Sequence, residues 1–312
     1  MRVFLAGASG VIGGRLIPAL IDSGHEVIGM TRSPDKAETV RGTGAEPVVC
    51  DALDADALRD AVIRAEPEAV INHLTDLPRD LGRRSMKRGQ EANNRIRAVG
   101  APNLAAAARA AGARRIVAQS IAFLYAPRGG PIKVESDPLY HAAPPPFDES
   151  AAALVALERA TTETEGIEGV VLRFGWWYGP GTTYASDGYV ARMVRRRRFP
   201  IVGGGGGMFS FAHVDDVASA TIIALGDVPP GVYNVVDDEP APVREWLPAY
   251  AEALGAPPPR RAPTWLASLI AGRSATFMME KLRGASNAKA RRELGWAPRY
   301  PSWRQGFREA LR

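Results

Sequence analysis

The chain has 312 residues, 46% hydrophobic and 23% charged, enough apolar material for a sizeable core and a balance that excludes long disorder. Its net charge of +5 and pI near 9.5 come from arginines spread along the sequence, which read as a solvated basic surface rather than a nucleic-acid or membrane site. Cys50 is the single cysteine, so an intramolecular disulfide and a thiolate metal cluster are excluded, no metal is expected, and a reducing compartment fits.

Val3-Phe4-Leu5-Ala6 is a short apolar run that predicts a buried strand, and Ile12, Leu16, Ile17 and Leu20 then recur at helical spacing as far as Ser23-Gly24. The run starts at once, with no charged leader, long apolar stretch or cleavage site before it, so the expected location is cytoplasmic. Further strands are expected at Glu26–Thr31, Pro47–Cys50, Ala69–His73 and Arg115–Ser120, with helical stretches between them, one from about Asn93 to Ala111. Strands alternating with helices predict a doubly wound, parallel α/β sheet. The Pro-rich stretch Ala126–Glu149 reads as a loop, Ser150–Glu165 as a helix and Val170–Arg173 as a sixth strand. An irregular aromatic segment follows, with Phe174, Trp176, Trp177, Tyr178, Tyr184 and Tyr189. The Arg195–Arg198 run reads as surface or as an attractor of phosphate or carboxylate groups. Regular structure is expected to return to the main sheet near 211–225 and 232–236, and the tail beyond Pro257-Pro258-Pro259 to be helical.

Gly7-Ala8-Ser9-Gly10-Val11-Ile12-Gly13 sets three glycines where the first strand turns into the first helix. The first permits the turn, the second lets a pyrophosphate approach the backbone, and the third allows helix and strand to pack closely. The free amides at the helix start favour phosphate charge, so Ser9, Val11 and Ile12 join the glycines as candidate dinucleotide contacts. At the end of the second strand, Thr31-Arg32-Ser33 offers a guanidinium and a hydroxyl rather than a carboxylate, which suits the 2′-phosphate of NADP(H), with NAD(H) as the alternative. Asp51 and Ala52 after the third strand, and His73, Leu74 and Thr75 after the fourth, stand where adenine and ribose contacts are expected. His73 reads equally well as a satisfied core residue. The expected organisation is therefore a Rossmann domain over residues 1–173, to which 211–236 return, and a smaller, mainly helical C-terminal substrate lobe over 174–210 and 237–312.

With that turn, the chain resembles the extended short-chain dehydrogenase/reductase family, which includes NAD-dependent epimerases and dehydratases. The likeness continues through Asn103-Leu104, Ala111-Gly112, Glu135, Pro138, Arg173, Tyr178-Gly179-Pro180-Gly181, His213-Val214-Asp215-Asp216-Val217-Ala218, Tyr233-Asn234 and Glu293-Leu294-Gly295-Trp296-Pro298. It implies a catalytic Ser or Thr near the end of the fifth strand, a Tyr four residues before a Lys on the next helix, and pairing of two copies through the helices near Asn93–Ala111 and Ser150–Glu165. The Tyr and Lys are missing: none of Tyr125, Tyr140, Tyr178, Tyr184, Tyr189, Tyr233, Tyr250 or Tyr300 has Lys at the fourth position after it. Registering on Glu158 puts Ser150 and Leu154 in their places, registering on the aromatic puts Phe147 and Ala151 there, and Ile121 occupies the usual serine position.

Reducing a carbonyl needs a proton donor for the developing alkoxide. The candidates are Ser120 first, also expected at the cofactor, then Tyr125, with Tyr178, His141 and Thr75 on neighbouring segments. The leading expectation is an atypical NADP(H)-dependent oxidoreductase acting on a small apolar or aromatic carbonyl or enone, with Trp176, Trp177 and Tyr178 against the substrate. A nucleotide-sugar epimerase or dehydratase, and a catalytically silent NADP(H)-binding sensor or assembly subunit, stay open beside it. The expected partner is a small molecule, without nucleic acid or membrane, and the resemblance adds a homodimer.

Overall fold

The computed structural model describes residues 1–76, 83–145 and 147–311, of which 83–87 as backbone only; Pro146, inside the expected loop, lies outside them. Contacts divide the chain into two compact units. The first is Met1–Ser120, Ala152–Arg173 and Val217–Tyr233; the second is Ile121–Ala151, Phe174–Asp216 and Asn234–Arg312.

A seven-stranded sheet is built on β1 (Arg2–Ala6), β2 (Glu26–Thr31), β3 (Glu46–Val49), β4 (Ala69–Asn72) and β5 (Arg115–Ile121), with Glu168–Phe174 and Gly231–Val235 outside β5. The order is Gly231–Val235, Glu168–Phe174, β5, β4, β1, β2, β3. β1 pairs in parallel with both β2 and β4, Val3 standing opposite Val27 on one side and Ala69 on the other. The chain therefore runs outward from β1 in one direction through β3 and resumes on the other side at β4, which leaves a crevice beyond the carboxyl ends of β1 and β4, the usual ligand position in such sheets.

β1 is buried from Val3 to Ala6 because helices cover both faces of a parallel sheet, so its residues read as one apolar run without alternation. The helix Gly13–Asp22 turns Leu16, Ile17 and Leu20 inward at the expected spacing. The stretch expected from Asn93 to Ala111 is longer: Arg83–Arg95 passes through a π-turn at Ile96–Gly100 into Ala101–Ala110. The Phe147–Thr162 helix begins three residues earlier than expected.

In the second unit, Trp176–Tyr178 pairs in parallel with Phe211–His213, so residues 211–213 do not return to the main sheet as expected; the return is made by the helix Val214–Ile223 and the edge strand Gly231–Val235. Two strands of three residues each are too short to show a period in sequence. The expected loop carries a short strand, Ile132–Lys133, parallel to Gly284–Ala285. Helices Tyr189–Arg195, Val243–Ala253, Thr264–Ala271, Arg273–Lys281 and Trp303–Ala310 complete this unit. Its core is aromatic: the Trp246 ring lies 5.0 Å from Phe209, 5.3 Å from Phe211 and 6.0 Å from Tyr184.

Candidate functional site

The glycine turn after β1 is as tight as its sequence demands. Gly7 has φ +98°, and a Cβ there would lie 2.5 Å from the His73 carbonyl oxygen at the end of β4. A Cβ on Gly13 would lie 2.3 Å from the Ala8 carbonyl oxygen. Both exclusions are steric and would hold with no ligand present. Gly10 differs: a Cβ there meets only the Gly7 carbonyl oxygen, at 3.2 Å, and the residue is exposed. The turn is closed by the Gly10 amide donating to Gly7 at 3.0 Å and tied to β2 by the Ala8 amide donating to Met30 at 3.1 Å. No acidic side chain sits in the first turn of the following helix, so its amides face no built-in negative charge.

At the end of β2 the Ser9 and Thr31 hydroxyls lie 3.2 Å apart, and the Ser33 amide donates to Thr31 Oγ1 at 3.3 Å. Arg32 extends two parallel hydrogen bonds, each 3.0 Å, to the carboxylate of Asp76, and this partner raises the guanidinium pKa above its ordinary value. A carboxylate therefore does reach the end of β2, brought from beyond β4; Asp76 is a residue that sequence reading passed over, although it directly follows the expected contacts His73, Leu74 and Thr75. The Asp76 amide donates to Asn93 Oδ1 at 3.2 Å, and the Leu53 amide caps onto Asp51 Oδ1 at 3.0 Å. Ala52 is buried, and its carbonyl accepts from Asn103 at 3.0 Å.

His73 is fully buried. Thr221 donates its hydroxyl to Val217 O at 2.9 Å and so accepts from His73 Nε2–H at 3.3 Å. Burial lowers the imidazole pKa to about 3, so the ring is neutral at pH 7. Its side chain is committed to the core, while its carbonyl lies under Gly7.

Ser120 donates its hydroxyl to Glu158 Oε1 at 2.7 Å. The same carboxylate accepts from Arg173 Nε at 2.8 Å and from a terminal guanidinium nitrogen at 2.7 Å, and all three residues are buried. To protonate a substrate, Ser120 would have to give up that bond. In the second unit, buried Tyr125 donates to Asn234 Oδ1 at 2.7 Å, and the Asn234 amide donates to Glu135 at 2.7 Å.

The three expected substrate residues have separate surroundings. Trp176 is half-buried, stacked on Phe123 at 4.1 Å and on Phe209 at 5.1 Å, and Trp177 meets the edge of Phe174 at 6.1 Å. Tyr178 is buried among Phe211, His213 and Phe307. Its hydroxyl is pressed against Gly306, where a Cβ would lie 1.9 Å away, and burial with Asp237 nearby pushes the phenol pKa up. A phenol so placed is a poor proton donor. His141, another proposed donor, is exposed.

Ser150 and Leu154 fall in the first turns of Phe147–Thr162, so the chain carries no phenol–ammonium pair on this helix. Among the described residues no group of His, Cys, Asp and Glu is set to hold a metal, and no helix is long and apolar enough to cross a membrane. The Arg195–Arg198 run is exposed.

Sheet order, glycine turn and switch-point crevice together define a nucleotide-binding α/β protein of the doubly wound class. Residues 3–235 match the NAD dependent epimerase/dehydratase family, and the chain belongs to it. A 3-diazoavenalumate denitrifying reductase from a Streptomyces species is 45% identical over 98% of this chain and 99% of its own. A 4-hydroxy-2-methyl-3-oxo-4-farnesyl-3,4-dihydroquinoline-1-oxide ketoreductase from Stigmatella aurantiaca is 28% identical over 100% of this chain and 96% of its own. The fold is shared with a UDP-glucose 4-epimerase from Thermotoga maritima, with TM-score 0.77 at 20% identity over 99% of this chain and 97% of that one. With a reductase this similar along its whole length, the chain is an enzyme, an NAD(P)-dependent oxidoreductase.

Proposed function

We propose that this enzyme is an NADP(H)-dependent reductase of a small aromatic electrophile, with an arene that carries a diazo group as the first substrate class. The observation that carries this reading is the retained glycine turn beside the lost proton-transfer pair, in a chain 45% identical to a reductase whose name specifies removal of nitrogen from a diazo compound.

The chemistry explains the loss. A ketone that accepts hydride becomes an alkoxide and needs a proton. An arenediazonium ion is already cationic, so the hydride that a bound nicotinamide would supply neutralises it. The new N–H bond forms at the terminal nitrogen, two electrons enter, and the resulting aryl diazene expels dinitrogen with its hydrogen passing to the ring carbon. No alkoxide develops, so no phenol or ammonium is required. In this reading Ser120 and Tyr125 keep their bonds to Glu158 and Asn234 and move no proton. Gly7, Gly10 and Gly13, with the amides of Ser9, Val11 and Ile12, and Asp51, Ala52, Leu74 and Thr75 would hold the dinucleotide.

Arg32 supports NADP(H) over NAD(H), because a planar fork suits a phosphate as well as the carboxylate it now holds. Trp177, which meets Phe174 edge-on, offers a flat surface that an aromatic ring would stack on. Titrating purified enzyme with NADPH and NADH, then following absorbance at 340 nm with arenediazonium salts, quinones, enones and ketones, tests the proposal. Tighter NADPH binding and turnover of the diazonium salts alone is the expected pattern. Turnover of ketones but not diazonium salts would replace it with a ketoreductase.

A further inference from the structure

Among the described residues three arginines are buried in the first unit, and two are held by hydrogen bonds. Arg115 donates to the carbonyls of Ala224 and Val228 at 3.1 Å and to Glu168 at 2.5 Å; Arg173 holds Glu158. The third, Arg97, is 8% exposed and has no hydrogen bond or ion pair among the described residues. Burial alone acts on its guanidinium, lowering its pKa to about 10, so it is still charged at pH 7. A buried charge with no counter-charge opposes folding and persists where a ligand completes it.

Its position points the same way. Arg97 lies in the π-turn Ile96–Gly100 that interrupts the long helix, a local irregularity that recurs at functional sites. Asn93, one turn before it, accepts from the Asp76 amide beyond β4. Gly100 and Asn103, one and two turns after it, face Ala52 beyond β3, with a Cβ on Gly100 3.3 Å from the Ala52 Cβ and Asn103 bonded to its carbonyl. Arg97 thus stands on the stretch of helix that spans the carboxyl ends of β3 and β4, where ligands of this fold are bound.

We infer that Arg97 is an oxyanion-binding residue, which takes a carboxylate or phosphate oxygen of a bound ligand. A planar guanidinium in a desolvated setting favours a two-point bond to either group. Two sources share that chemistry, the phosphates of the dinucleotide and a carboxylate on an aromatic substrate. The inference rests on the cofactor reading above, and NADPH binding by the unmodified enzyme reports on that reading separately.

The test compares the unmodified enzyme with Arg97→Met and Arg97→Lys. Each is titrated with NADPH, and each NADP+-saturated form with benzoate and its neutral analogue benzamide. The unmodified enzyme should prefer benzoate to benzamide. Arg97→Met should weaken either NADPH or benzoate by about tenfold to a hundredfold, with benzamide unmoved; loss of benzoate assigns a substrate carboxylate, and loss of NADPH assigns a cofactor phosphate. Arg97→Lys should retain much of the lost binding. The midpoint of thermal unfolding of Arg97→Met should hold or rise, because a buried charge with no partner among the described residues is removed. A fall in that midpoint, or unchanged binding of both NADPH and benzoate in Arg97→Met, would overturn the inference.

Discussion

The three glycines of the turn have different physical reasons to be there, which gives them different mutational signatures. Gly7→Ala forces a Cβ into the His73 carbonyl at positive φ, and Gly13→Ala forces one into Ala8, so both should destabilise the fold by about 1–3 kcal/mol. Gly10→Ala meets far less resistance. It should leave the unfolding midpoint close to that of the unmodified enzyme yet weaken NADPH binding, measured by calorimetry, if Gly10 is where the pyrophosphate approaches the backbone. Retained affinity in Gly10→Ala would remove that role. This distinction was half legible in the sequence: spacing gave the turn, but which glycines answer to protein and which to ligand needs the position of His73, distant along the chain. Asp76 was hidden for a similar reason. An Asp beyond one strand reveals nothing about an Arg beyond another until the sheet order sets them side by side.

Among the elements, the Phe147–Thr162 helix and the Glu168–Phe174 strand are joined by Glu158 and Arg173, with Ser120 of β5 as the third member. The helix's usual catalytic residues are absent, but this buried link remains, so its first task here is to hold helix and strand together. Removing one partner strands the other's charge. Arg173→Met should cost about 3–5 kcal/mol in denaturant unfolding, whereas the double variant Glu158→Leu/Arg173→Met should cost clearly less. Equal losses in the two variants would mean that the charges do not act as a pair. Strands and helices of the first unit were legible because their apolar periods are long enough to read. The second unit was not, since its strands are two or three residues long and its core is made by aromatic contacts such as Trp246 with Phe209 and Phe211, which leave no period.

At the scale of the whole molecule, acid stability should carry the mark of His73. Its folded-state pKa of about 3 lies below the ordinary 6.5, so the unfolded chain takes up a proton that the folded one refuses. The associated stability is whole above about pH 6.5 and is lost as pH falls towards 3, at up to ~1.4 kcal/mol per pH unit. His73→Gln keeps an N–H for Thr221 but cannot titrate. Calorimetric unfolding from pH 7 to pH 4 should therefore show the unmodified enzyme losing stability faster than the variant; parallel curves would mean that His73 is not the group responsible.

The reaction proposed for this oxidoreductase is hydride transfer to a diazo-bearing arene without a proton donor from the protein. The most direct measurement is the dinitrogen released per NADPH consumed with an arenediazonium carboxylate, in the unmodified enzyme and in Ser120→Ala and Tyr125→Phe. This reaction predicts equal amounts of gas and oxidised cofactor, with turnover in both variants close to that of the unmodified enzyme. NADPH oxidation without gas, or a loss of about a hundredfold or more in either variant, would contradict it.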